Sequence, residues 1–276
     1  MAKPASPTPI TLKSPLRYPG GKSKALAQIL PLIPDSIREL REPFVGGGSV
    51  FLAVCQRSPY SLERLWINDL NYDLCCFWRM VRDELPPLVE EITRMKSRFE
   101  QGRDLFAYLT QERSWTDFER AVRFFILNRI TFSGTVEAGG YSQQAFERRF
   151  TLSSIERLQA LQGVLTHVEI TCGDYAACVN APGEEVFLFL DPPYYRAMPS
   201  RLYGIRGELH TGFDHRRFAA TMRHCSHRWL ITYDDSPAIR DLFGFAHIQE
   251  WQLQYGMNNF RQTTAAMGRE VFIRNY

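Results

Sequence analysis

The sequence predicts an α/β protein: a doubly wound, mainly parallel sheet carrying an inserted, mostly helical subdomain. Three observations lead there. Short apolar runs that end in turn residues alternate with stretches of helical period, the signature of parallel strands joined by crossover helices. One run, Val186-Phe187-Leu188-Phe189-Leu190, is apolar at every position, as a strand buried on both faces must be. The last thirty residues instead hold two alternating segments, His247 to Tyr255 and Glu270 to Tyr276, which read as an antiparallel closing pair.

Met1 to Ser14 is rich in Pro, Ser and Thr and has no apolar centre, so it reads as a flexible tail rather than a signal peptide. Leu16-Arg17-Tyr18-Pro19-Gly20-Gly21-Lys22-Ser23 follows. Its Gly-Lys-Ser end imitates a phosphate-binding loop. Leu16 stands where the first glycine is required, and no buried strand precedes it, so a nucleotide triphosphatase is rejected. What remains is a Pro-Gly-Gly turn feeding a helix from Lys24 to Leu30. Lys22 at its start opposes the helix dipole and is a candidate for holding a ligand carboxylate.

Ile37 to Val45 reads as a strand running into Gly46-Gly47-Gly48-Ser49 and a helix. Gly46 and Gly48 reproduce the first two glycines of a dinucleotide-binding turn, where the chain turns tightly and a ligand approaches the backbone. Phe51 occupies the offset of the third, so a diphosphate is not indicated. Some twenty residues on, the strand Arg64 to Asp69 ends in a carboxylate, the place where ribose hydroxyls are held in such folds. A ribose-bearing cofactor without a diphosphate points to S-adenosylmethionine.

Residues 75–165 are mostly helical in pattern, with apolar periodicity in Leu85 to Phe99, Phe118 to Ile130 and Leu152 to Leu165. The block is too long for one crossover and reads as an insertion. Its arginines Arg123, Arg129, Arg148 and Arg149 can meet phosphates or base edges, though Glu119, Glu137 and Glu147 dilute the charge. Residues 15–74 and 166–276 form the expected core. Val168 to Tyr175 reads as a strand ending in Gly173-Asp174-Tyr175, Asp214 to Cys225 as a helix with Asp214 as N-cap, and Arg228 to Asp235 as another buried strand.

The strand Val186–Leu190 stops at Asp191-Pro192-Pro193-Tyr194-Tyr195. Proline ends ladder pairing, and ligands in open α/β sheets bind at the carboxyl ends of strands. A carboxylate, carbonyls freed by prolines and a flat ring suit a planar group with an exocyclic amine, and adenine fits. The plainer reading is a strand followed by a rigid turn.

Composition limits the class. A chain of 276 residues with 45% hydrophobic and 23% charged content suits a globular protein, and no apolar run reaches membrane-spanning length. Six cysteines without a C-x-x-C pair are expected as free, mostly buried thiols in a cytoplasmic protein, and no Cys/His spacing fits a metal site. The net charge of +3 is mild. Its distribution is not: Arg196, Arg201, Arg206, Arg216, Arg217, Arg223 and Arg228, with His210, His215, His224 and His227, face only Glu208 and Asp214, so a basic segment follows the tip.

Taken in order, Arg17 to Lys22, Glu42 to Ser49, Asn68-Asp69, Gly173 to Tyr175, Asp191 to Tyr194 and the closing Arg269 to Tyr276 make the chain resemble the Dam-like (D12 class) adenine-N6 DNA methyltransferases, from about Leu16 to Tyr276. The resemblance implies a Rossmann-like methyltransferase core. It implies S-adenosyl-L-methionine as cofactor, S-adenosyl-L-homocysteine as product and double-stranded DNA as partner. Tyr18, Lys22, Pro43, Phe44, Gly46, Gly48 and Ser49 would then contact the cofactor, Lys22 through the methionine carboxylate. Asp69 would take the ribose hydroxyls, and Asp174 and Tyr175 the cofactor's adenine, with Asp191 shared between cofactor and target. Asp191, Pro192, Pro193 and Tyr194 would hold a flipped target adenine. The insertion would read DNA through Arg123, Asn128, Arg129, Ser133, Tyr141 and Arg148. Gly140 to Phe146 departs from the family's usual wording, so no recognition sequence is carried over. The rival readings are an adenine-N6 methyltransferase acting on RNA and a catalytically silent DNA-binding relative. Methylation of a protein or small molecule fits the acidic tip less well.

Overall fold

The computed structural model describes residues 12–56, 62–136, 139–195, 212–254 and 267–276. Seven strands form one sheet: β1 (Glu39–Glu42), β2 (Arg64–Asp69), β3 (Val168–Cys172), β4 (Val186–Leu190), β5 (Arg228–Asp234), β6 (His247–Gln254) and β7 (Met267–Arg274). Their order is β3-β2-β1-β4-β5-β7-β6. The first five pair in parallel, while β7 runs antiparallel to both β5 and β6. The expected fold class is the observed one, including the closing pair.

The sequence pattern explains the order. β4 is buried at all five positions because it lies between β1 and β5 with helices on both faces. The chain leaves β1 in one direction to make β2 and β3, then returns to the other side of β1 for β4 and β5. That reversal opens a crevice beyond the carboxyl ends of β1 and β4, the switch point where ligands bind in such sheets. At the opposite end, Arg41 is fully buried on β1. Its guanidinium pairs with Glu39 at 2.7 Å and donates to the carbonyls of Cys178, Ala181 and Pro182, which tie the helix Tyr175–Asn180 to the sheet.

Several expectations change in detail. The helix read from Lys24 to Leu30 is a chain of short turns: 3-10 turns at Lys22–Lys24 and Leu30–Leu32 flank Leu26–Ile29, and Pro31 prevents a longer helix. The charged stretch between the two long insertion helices contains one more helix, Gly102–Leu109. The helices between β2 and β3 share their core with the sheet. Phe77 and Trp78 from helix Tyr72–Asp83, and Phe124 and Phe125 from Asp117–Ile130, join Leu40, Ile67 and Phe189 in one apolar cluster. Leu12 and Ser14, at the end of the expected tail, are bonded to Gln56 and to the Gly47 carbonyl. The rest of that tail (1–11), Glu137, and the Arg196, Arg201, Arg206, Glu208 and His210 part of the basic segment lie outside the described residues.

Candidate active site

A cleft of about 920 Å³ opens at the switch point. The loop Tyr18–Lys22, the glycine turn, Asp69, Gly173–Tyr175 and the tip Asp191–Tyr194 all line it. The two carboxylates that the sequence sets 122 positions apart, Asp69 and Asp191, therefore face one cavity.

The floor is backbone. Gly46 and Gly48 have φ of +45° and +67°, values that side-chain-bearing residues rarely adopt. A Cβ on Gly48 would sit 2.3 Å from the Phe51 ring and 2.8 Å from Trp78. Phe51, at the position of the missing third glycine, thus fills the space under the turn. Tyr18 packs against Gly46 and Gly47 from above. Asn68, buried on β2, donates to the Pro43 and Gly173 carbonyls at 3.1 and 2.9 Å and accepts from Thr171, so one amide holds the two loops that flank the cleft. Asp69 accepts from the N–H groups of Gly46 and Asn71 at 3.0 Å each. Burial nevertheless raises its pKa.

Glu42, at the end of β1, is buried and accepts from Phe51 N–H at 3.1 Å, inside the first turn of the helix Ser49–Cys55. Burial pushes its carboxyl well above the usual range. The Phe51 N–H opposes that shift, and the charges of Asp191 and Asp69 add to it. The lining as a whole is acidic: Glu42, Asp69, Asp174, Asp191, Asp214 and Glu270 stand against Lys22 and Arg217.

At one end the walls are aromatic. Phe44 and Tyr175 lie 5.4 Å apart, with Phe213 at 5.7 and 5.9 Å from them. Asp174 caps its helix through Ala176 N–H and makes two hydrogen bonds with Arg217, which hold its pKa below the ordinary carboxylate value. Arg217 also lies over the Tyr175 ring at 5.3 Å.

At the other end Asp191 is held on both oxygens. Thr232 Oγ1 donates to Oδ1 at 2.6 Å, and Lys22 Nζ lies 2.8 Å from Oδ2. Lys22 is buried, donates to the Gly20 carbonyl and lies 5.0 Å over the Tyr194 ring. The turn after Gly21 aims Lys22 across the cleft at Asp191, where it also lines the pocket. Tyr194 donates its hydroxyl to Glu270 at 2.8 Å, and Tyr195 N–H donates to Asp234 at 2.8 Å. Pro192 and Pro193 line the cleft between these anchors, while Ser49 lines the helix end beneath.

The residues expected to read DNA separate into two groups. Arg123 is engaged inside the protein, paired with Asp73 at 2.7 Å and bonded to the Leu109 carbonyl. Asn128 is fully buried, and its amide is spent on the Arg17 N–H and on the Arg17 and Gly134 carbonyls. The helix Asp117–Ile130 is buried at nearly every position from Ala121 on, with Arg123 half-buried and Asn128 fully so, which its sequence spacing does not reveal. Arg129 is buried as well. Ser133 lies at the mouth of the cleft with φ +55°, beside an exposed Phe132. Tyr141 is half-buried, bridged to Thr131, and Arg148 is exposed.

Thr232, Glu270, Asp234, Phe213 and Arg217 were not singled out from sequence as site residues. Strand register would have found the first three. Leu190 pairs with Ile231, which sets Thr232 beside Asp191, and Asp234 pairs with Glu270. Among the described residues, no three His, Cys, Asp or Glu gather as metal ligands, and no helix is long and apolar enough to cross a membrane.

Comparison with known proteins bears on this geometry. A 240-residue alignment, 84% of this chain, is 28% identical to the DNA N-6-adenine-methyltransferase of Escherichia phage P1, and the chain spans about a third (31%) of that longer protein. Type II methyltransferase M.MjaIII of Methanocaldococcus jannaschii is 27% identical over 65% of this chain and 68% of its own length. Type II methyltransferase M1.LlaDCHI of Lactococcus lactis subsp. cremoris is 24% identical over 97% and 96%. Residues 18–257, which include every motif of the cleft described above except Glu270, match one family model, and the chain belongs to the D12 class N6 adenine-specific DNA methyltransferases.

Proposed function

We propose that the protein transfers a methyl group from S-adenosyl-L-methionine to the N6 amino group of an adenine in a specific double-stranded DNA sequence, with the base swung out of the helix. The observation that carries this reading is one cleft that joins a side-chain-free glycine turn and the Asp69 carboxylate to the Asp-Pro-Pro-Tyr tip.

The cleft fits the cofactor. Gly46 and Gly48 allow an approach to bare backbone, the acid of Asp69 suits ribose hydroxyls, and Phe44 with Tyr175 offers ring faces for an adenine next to Asp174. Even with Glu42 left out, carboxylates outnumber cations in the lining, which favours a positively charged sulfonium. When bound, the cofactor supplies the activated methyl. The chain's own residues do the rest. Adenine N6 is a weak nucleophile because its lone pair is delocalised into the ring. Asp191 and the Pro192 carbonyl accept hydrogen bonds from its two N–H groups and so favour a tetrahedral nitrogen, an interaction strongest in the transition state; once the methyl is on, the amine sheds one proton to solvent. Thr232 and Lys22 fix Asp191 for that task. Tyr194, tied down through Glu270, offers its face to the base. Extrusion costs roughly a few kcal/mol, and stacking worth about 1–3 kcal/mol offsets much of it.

In this reading residues 75–165 form the target-recognition region, with Ser133, Tyr141 and Arg148 toward DNA. The work is cytoplasmic, where the DNA is. A role in a modification system is supported by the two relatives named type II methyltransferases. The test is expression in a methylation-free host with N6-methyladenine mapped across the genome, alongside purified enzyme offered DNA and RNA. Methylated adenine in one DNA motif, absent with Asp191→Ala while that variant still binds cofactor, is the expected result. An Asp191→Ala enzyme methylating at the wild-type rate would overturn the assignment, and methylated RNA alone would replace the substrate.

A further inference from the structure

One ion pair in the wall of the cleft takes no part in the methyl transfer described above. Arg217, in the first turn of the helix His215–His224, lines the cleft and reaches Asp174, which caps the helix after β3. Its two terminal nitrogens donate to both carboxylate oxygens, Nη1 to Oδ2 at 2.7 Å and Nη2 to Oδ1 at 3.0 Å. Ala176 N–H donates to Oδ1 as well, at 2.9 Å. The backbone beneath the arginine is fixed in turn, since Asp214 accepts from Arg217 N–H at 2.9 Å. The guanidinium lies over the Tyr175 ring, 5.3 Å from its centre.

These contacts leave the carboxylate one way to face. A bidentate contact sets it in the plane of the guanidinium, and the bond from Ala176 stops it from turning. Each carboxylate oxygen accepts about two hydrogen bonds. Oδ1 therefore has both places taken, while among the described residues Oδ2 keeps one place for a donor in the cleft. The hydrogen bonds and charge of Arg217 also hold the Asp174 carboxyl below its ordinary pKa, against the opposing effect of burial. Without the arginine, Asp174 would keep only the Ala176 bond, and a carboxylate that is about half exposed would turn toward water. Tyr175 is 6% exposed among Phe44, Phe213, Phe218 and Arg217, so it supplies packing, and polar selection at this end falls to Asp174.

We propose that Arg217 is a positioning residue that makes the cleft selective for a 6-aminopurine cofactor: by gripping Asp174 with both terminal N–H groups, it aims one fixed acceptor at the exocyclic amine of the cofactor's base. The proposal rests on the reading in which Asp174 meets the cofactor's adenine. A 6-oxopurine counterpart would set a carbonyl oxygen against the carboxylate, losing a charge-assisted hydrogen bond and adding repulsion. The helix that carries Arg217 lies in the chain between β4 and β5, so the segment leaving the target-base tip also fixes the end of the cleft that takes the cofactor's base.

The experiment titrates the full chain with S-adenosyl-L-homocysteine and with S-inosyl-L-homocysteine, its 6-oxo analogue. Wild type, Arg217→Met and Arg217→Lys are compared, with thermal melting as the check on folding. Wild type should bind the adenosyl ligand at least about tenfold more tightly than the inosyl one. Arg217→Met keeps an apolar stem over Tyr175 and loses the paired N–H groups. Its adenosyl affinity should fall about 5- to 10-fold while its inosyl affinity stays within about twofold, so the ratio between the ligands approaches one. Arg217→Lys keeps the charge but only a single point of contact, so its ratio should fall below that of wild type, and it decides the matter if Arg217→Met does not fold. A merely structural arginine would cost both ligands alike and leave the ratio where it was. That result, or a lysine variant with the full wild-type ratio, overturns the proposal. The reading beneath it fails differently: wild type that binds neither ligand refutes the cofactor, and wild type that binds both equally refutes the contact between Asp174 and the amine, before any arginine variant is compared.

Discussion

Thr232→Val is the sharpest probe of how the tip is held. Thr232 is fully buried on β5, and its hydroxyl donates to Asp191 Oδ1 at 2.6 Å. Valine keeps the shape and the β-branch, so the strand should be little disturbed; only the donor goes. A hydrogen bond to a charged group contributes roughly 1.5–3 kcal/mol. Asp191 is 21% exposed and keeps Lys22 on its other oxygen, so water can replace part of the loss. About 1–2 kcal/mol then remains, which as transition-state stabilisation is about 5- to 30-fold in rate. Single-turnover methylation of a duplex containing the target reads the chemical step, and cofactor titration reads binding separately. The expected outcome is a slower chemical step with cofactor affinity within about twofold. A Thr232→Val enzyme with the wild-type single-turnover rate would show that Asp191 is held without the threonine. Equal losses in rate and cofactor affinity would show that the valine had disturbed the cleft as a whole.

Two further outcomes follow from the floor of the cleft. Glu42 has its pKa raised by burial and by Asp191 and Asp69, so the folded state holds its proton more tightly than the unfolded chain. Such a group supports folding below the unfolded pKa, about 4.5, and that support is lost as pH rises through the higher folded value. Glu42→Gln, which stays neutral, should therefore melt higher than wild type at pH 7–8, with the gap narrowing as pH falls toward 5; a gap independent of pH would refute the argument. Gly48→Ala would place a Cβ 2.3 Å from Phe51 at φ +67°, so a loss of about 2–4 kcal/mol of stability and of cofactor binding is expected by chemical denaturation and titration. Unchanged stability would mean that the turn can relax.

The parallel order, the closing antiparallel pair and the place of the tip were legible because they rest on local rules. A strand apolar at every position must be buried on both faces, and a Pro-Pro pair must end it. Likewise, two glycines followed by a carboxylate at the right distance mark a ligand turn. These signals lie within a few consecutive residues and survive without knowing what packs where.

Tertiary structure decided everything that depends on register and on which helix face turns inward. Thr232 and Glu270 reach the tip only because β5 lies beside both β4 and β7, and Lys22 meets Asp191 across a cleft that closes residues 169 positions apart. Asn128 and Arg129 are neighbours in a stretch expected to read DNA, yet both are buried, and Asn128 is bonded to the Arg17 backbone. The sequence by itself pointed to the chemistry and to the strand–turn motifs that carry it, but not to every strand end: β1, read to Val45, stops at Glu42, and β7, read to Tyr276, stops at Arg274. The fold alone determined which carboxylate meets which cation, because pairing and burial are properties of residues brought together from distant parts of the chain.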